Sequence, residues 1–92
     1  MRVIVRAKAD DDIDRVFAWI AKDNPVAATD MVARIRERIN RLATEGLAYI
    51  GHTGFVAGTL EVIVRPYIIV YKVFEKRDEI VILSIVHGAQ NR

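Results

Sequence analysis

Two histidines, one serine, a run of three aspartates and a row of arginines are the side chains in this 92-residue chain whose types and spacing could do chemistry. His87 is the most suggestive. It stands at the end of the last apolar run, before "GAQNR", where a side chain emerges from a sheet edge and an imidazole can exchange protons near neutral pH. Arg65 and Tyr71 could join it at one end of the sheet. His52 is the other imidazole, and neither histidine has a second His or a carboxylate at metal-ligand spacing, so no metal site is expected. Ser84 sits inside "ILSIV" with no nucleophile elbow around it, and it reads as a small strand residue. The glycines at 46, 51, 54 and 58 match neither a phosphate-binding loop nor a dinucleotide fingerprint, and no cofactor is expected. Asp10, Asp11 and Asp12 read as a helix cap rather than a cation site. Arg34, Arg38 and Arg41 recur at i, i+4 and i+7, which makes either a solvated helix face or an anion-binding stripe.

The elements that must position these residues are legible in the pattern. "RVIVR" at 2–6 is a short strand. After "DDD", Ile13, Val16, Phe17 and Ile20 follow the spacing of an amphipathic helix. "KDNP" at 22–25 ends that helix and starts another, with Asn24 as cap and Pro25 at the first helical position. Ala28, Val32, Ile35, Ile39 and Leu42 form the second apolar stripe, with Gly46 as the expected stop. So short a connection predicts an antiparallel helical hairpin. "GLAYIGHTGFVAG" at 46–58 is a long irregular connection, pinned by Leu47, Ile50 and Phe55 or used for binding. Three β-branched and aromatic runs follow, at 59–65, 67–74 and 79–88, separated by Pro66 and "EKRD".

The predicted fold is α+β in the order β-α-α-β-β-β: one domain over residues 1–92, with the hairpin on one face of a mostly antiparallel four-stranded sheet. The central run "RPYIIVYKV" is apolar on both faces, and the helices can cover only one. The other needs the loop, the N-terminal region or a second chain. Hydrophobic residues make up 52% of the chain and charged residues 28%, which excludes disorder; no run approaches a membrane span. The opening dodecapeptide is too polar for a secretory signal, and with no cysteine the expected home is the cytoplasm. The net charge of +2 permits an acidic partner without requiring one.

"IAKDNPVAA", "GTLEVIVRPYIIVYKV" and "EIVILSIVHGAQNR", in this order, resemble the ParE branch of the RelE/ParE superfamily, the toxins of type II toxin–antitoxin pairs. The resemblance implies a growth-inhibiting toxin bound and neutralised by a cognate acidic antitoxin in a hetero-oligomer, with DNA gyrase the leading target. RelE-like relatives instead cut messenger RNA on the ribosome with basic residues and an acid–base group. Such ribonucleases usually carry an arginine where this chain has Ile68, which cannot supply the charge. ParE-like loops often read G-R-x-G-R and then G-T-R-E-L. Here His52, Phe55 and Leu60 replace the three arginines, which leaves open a decayed toxin retained as an antitoxin-binding module. The candidate antitoxin- or target-binding residues are Arg34, Arg38, Arg41, His52, Phe55, Tyr67, His87 and Arg92. A catalytic role would fall to His87, Arg65 and Tyr71.

Overall fold

The computed structural model describes residues 1–44, 46–54 and 56–88. Strand β1 (Arg2–Val5) leads into helices α1 (Ala7–Ala21) and α2 (Pro25–Leu42), then strands β2 (His52–Thr53), β3 (Leu60–Val64), β4 (Tyr67–Phe74) and β5 (Glu79–His87), with one 3₁₀ turn at Glu75–Arg77. The α+β class and the helical hairpin follow the sequence pattern. The strand count does not: the sheet has five strands in the order β1-β5-β4-β3-β2. The extra strand is two residues long and lies inside the segment read as a loop. So short a stretch has no alternation to detect, and it is a strand only because His52 and Thr53 pair with Glu61 and Leu60. Only β1 and β5 run parallel.

Asn24 accepts a hydrogen bond from the Ala27 amide at 3.0 Å and Pro25 opens α2, as the tetrapeptide predicts. Helix α2 ends at Leu42, four residues before the glycine expected to stop it, and Gly46 takes a left-handed φ of 83° in the turn that follows. The stripe on α2 is buried through Ala28, Ile35, Ile39 and Leu42. On α1, Ile13 and Val16 are buried, but Phe17 is 41% exposed; the helix turns it past the edge of the contact with the sheet. Ile69, Tyr71, Ile80 and Ile82 complete the core, each with no exposed surface.

The aspartate run is not a cap. Helix α1 begins three residues earlier, with Arg6 in the cap position and no side-chain cap bond, so the aspartates lie within the helix. Asp10 reaches Arg36 of α2 at 3.4 Å. Asp12 points inward, and its carboxylate accepts from the Ile85 amide at 3.0 Å and from Lys8 Nζ at 2.9 Å. The reason lies in the sheet. Strand β1 pairs with β5 only as far as Val5 and Ile82, after which the chain turns into α1. Beyond that point this edge of β5 has no strand beside it, and Asp12 takes the amide that a longer β1 would have bonded. A register shift between Val70 and Tyr71, opposite Ser84 and Ile82, leaves Leu83 as the extra residue of a bulge just before Ile85.

Asp12→Ala should therefore cost about 1–3 kcal/mol by urea denaturation, because a buried amide loses its acceptor. The exposed neighbour Asp11→Ala should stay within about 0.5 kcal/mol of the parent. Equal losses at the two positions would show that Asp12 acts only as general helix charge.

Candidate interaction surface at the β3–β4 turn

Strands β3 and β4 meet at Arg65 and Pro66, joined by a cis peptide bond. Gly88 closes on this turn, its amide donating to the Pro66 carbonyl at 2.7 Å. The approach is close: a Cβ at Gly88 would lie 3.0 Å from that oxygen. The contact fixes the end of β5 and hence His87. Across the ladder His87 pairs with Tyr67, and the two rings meet edge to face with centroids 5.4 Å apart at 82°.

His87 is half-buried on a rim between two depressions. On the helix side, a hollow of about 370 Å³ is lined by Lys8, Asp12, Arg15, Trp19, Tyr67 and His87 among others. On the open side, a hollow of about 510 Å³ is lined by Ile63, Arg65, Pro66, Ile68, His87 and Gly88. A third cleft, about 370 Å³, brings Arg34, Glu37, Arg38 and Arg41 of α2 against Ile63, Val64 and Arg65. Arg65 thus borders the open-side hollow and the arginine cleft at once.

The sequence candidates divide accordingly. His87 joins Tyr67 in the helix-side hollow and Arg65 in the open-side one. The helix arginines join Arg65 in the third. His52 is exposed on β2, opposite Glu61 and at the far end of β3 from Arg65. Phe55 and Arg92 lie outside the described residues. Tyr71 stands apart, fully buried. Its hydroxyl donates to the Ala48 carbonyl at 2.9 Å and accepts from the Gly51 amide at 3.1 Å, tying the α2–β2 connection to the central strand. A Cβ at Gly51 would meet that hydroxyl at 2.6 Å, so glycine is required there.

Lys8, Arg15 and Trp19 were not singled out from the sequence. The signal was available: Lys8, Asp12, Arg15 and Trp19 recur at i, i+4, i+7 and i+11, one stripe of α1 beside the apolar one. Trp19 is 67% exposed, with Lys22 Nζ 5.1 Å from its ring centre. The stripe places two cations, a buried carboxylate and aromatic rings around the imidazole, enough to hold an anion and move a proton. The open face of β4 is of another kind. Ile68 is buried there at 8% exposure beside half-buried Val70, and further along Lys72 lies between Val70 and Phe74, with the buried carboxylates of Glu61 and Glu79 on the flanking strands. Among the described residues no three His, Cys, Asp or Glu side chains are placed to hold a metal ion, and no helix is long and apolar enough to cross a membrane.

Residues 3–92 match the family model described as the ParE toxin of the type II toxin–antitoxin system parDE. The chain belongs to the ParE toxin family. A Sinorhizobium fredii protein named "Putative toxin Y4kP" is 36% identical over 80 residues, which is 85% of this ParE-family chain and 78% of that protein. Among solved structures, the chromosomal ParDE system of P. aeruginosa is similar with a TM-score of 0.80 at 24% identity, covering 95% of each chain. The RelBE2 toxin–antitoxin complex of Mycobacterium tuberculosis is similar with a TM-score of 0.68 at 21% identity, covering 94% of this chain and 95% of that one. Both likenesses establish the same fold in the ParE and RelE branches.

Burial raises the hydroxyl pKa of Tyr71, and of Tyr67, above the ordinary tyrosine value. The unfolded chain then gives up these protons first. Their contribution to stability is complete below about pH 10 and is lost as pH rises through the folded values. Tyr71→Phe should flatten part of this alkaline fall in a urea-denaturation series. At neutral pH it should cost about 1–3 kcal/mol through the two released backbone groups. An unchanged alkaline slope would contradict the buried environment of the hydroxyl.

Proposed function

We propose that this ParE-family chain is a growth-inhibiting toxin that acts in the cytoplasm by docking on DNA gyrase, without hydrolytic chemistry of its own, and that a cognate acidic antitoxin neutralises it in a hetero-oligomer. One observation carries the reading: on its open face the central strand presents an apolar patch, Ile68 with Ile63, Val70 and Val86 around it, at the position where ribonuclease relatives carry an arginine. Ile68 is buried among apolar neighbours, and a guanidinium or phosphate there would lose its hydration without a partner. A face of this kind suits protein contact. An antitoxin segment laid over it would remove Ile63, Val70 and Phe74 from water, and its acidic charge would speed association with a mildly basic toxin.

A second reading, a ribosome-dependent endoribonuclease, draws support from the rim. His87 shares one hollow with Arg65 and another with Lys8 and Arg15, so an imidazole has cations on both sides. The loss of loop arginines at His52, Phe55 and Leu60 supports a third, a module that has kept antitoxin binding and lost toxicity.

Induction of the chain alone in bacteria should arrest growth with a DNA-damage response and intact transcripts, and the purified protein should inhibit gyrase supercoiling. Ribosome-dependent cleavage abolished by His87→Ala would instead establish the ribonuclease reading, and normal growth at confirmed expression the third. The isolated chain should also bind a dye specific for apolar surface and self-associate, and co-expression with the antitoxin should abolish both. A monomer without dye binding would refute an uncovered open face.

A further inference from the structure

The α2–β3 cleft concentrates guanidinium groups. On the same helix, Arg36 is paired with Asp10 of α1. Among the described residues, Arg34, Arg38, Arg41 and Arg65 have no ion pair, although the cleft gathers all four around the single carboxylate of Glu37. The Nε of Arg38 is buried and has no hydrogen-bond acceptor. A buried donor of this kind is rarely left unpaired in a folded protein unless something else supplies the acceptor. The chain carries a net charge of only +2, so the cleft holds a local excess that the rest of the surface offsets.

We infer that the α2–β3 cleft binds the phosphate backbone of duplex DNA. The lining favours this over an acidic peptide, which docks through apolar anchors as well as charge, because between the arginines the cleft offers only Ile63 and Val64. At about 1.5 Å of rise per residue, Arg34 to Arg41 spans about 10 Å of helix axis. Arg65 faces that row from the end of β3. One DNA strand presents a phosphate about every 3.4 Å along the duplex axis, so about three phosphates fall within that length, matching four guanidinium groups less one carboxylate. Arginine's fork also fits phosphate oxygens two at a time. No aromatic ring lines the cleft, only Ile63 and Val64 between the arginines, so there is no platform for an unstacked base. Binding is therefore to backbone, independent of base sequence. The inference does not depend on the gyrase reading. It gives the chain a direct contact with the nucleic acid on which a topoisomerase works.

The test is fluorescence anisotropy of the purified full chain with a labelled 20-base-pair duplex of arbitrary sequence, from 50 to 200 mM KCl. Log affinity should fall against log salt with a slope of about −2.7, about 0.9 for each of three phosphates, and should not change with sequence. Arg38→Gln with Arg65→Gln should weaken binding about tenfold or more at 50 mM and reduce the slope by about one to two. Arg34→Gln with Arg41→Gln, on the exposed side of the row, gives the same readout should the half-buried Arg38 prove necessary for folding. Lys76→Gln, in the 3₁₀ turn, should change neither value. Unchanged affinity in both double variants, tighter binding of a single strand of the same sequence, or tighter binding of a poly-glutamate peptide would each overturn the inference.

Discussion

The hydrogen bond from the Ile85 amide to the Asp12 carboxylate is the contact on which the layout of this molecule turns. Strand β5 is the spine of the sheet, paired with β4 along one edge and with β1 along the other. Because β1 is only four residues long, the far half of that second edge would be left without partners. One side chain from α1 takes over where the strand stops, and it brings the helix with it. The same bond sets which residues stand near the end of β5, since Lys8, Arg15 and Trp19 lie on the stripe of α1 that Asp12 anchors. Lys8 compensates the carboxylate as it enters the interior, which a lone buried charge would not survive.

The helices can cover only one face of β4, and this asymmetry divides the molecule's surfaces. On the covered side, Tyr71 spends its hydroxyl on backbone groups of the α2–β2 connection, holding an irregular segment to the core. On the open side Ile63, Ile68 and Val70 make an apolar patch beside Arg65 and His87 at one end, while Glu61, Lys72 and Glu79 bring charge to the rest of that face. Arg65 and His87 clear the sheet at that end because the β3–β4 turn and the last residues of β5 lie there. The proposed docking on a protein target and the arginine cleft rest on different parts of this arrangement, one on the open face and one on the edge beside α2.

Much of this was legible in the chain itself. The helix–helix junction is written in Asn24 and Pro25, whose capping and φ preference are local properties. The apolar stripe of α2 and the two-sided apolarity of β4 are periodic signals that any packing must respect. The misreadings share a cause: each concerned a residue whose role is set by something distant in sequence. Three aspartates before an apolar stripe look like a cap, and nothing local says that β1 will end one turn too soon and draw Asp12 inward. Phe17 has the spacing of a core residue, but the width of the helix–sheet contact excludes it. His52 and Thr53 form a strand only because β3 passes beside them.

The site follows the same division. Residue type and helical spacing by themselves determined that Arg34, Arg38 and Arg41 share a face, that His87 ends a strand, and that Ile68 brings no charge to β4. The tertiary structure alone decided that Arg65 joins the helix arginines, that Lys8 and Arg15 stand by His87, and that Tyr71 is interior. Periodicity fixes which side of an element a residue occupies. What that side meets depends on strand order, on the length of β1 and on a turn between β3 and β4, and these join residues 24 to 79 positions apart, beyond the reach of any local pattern.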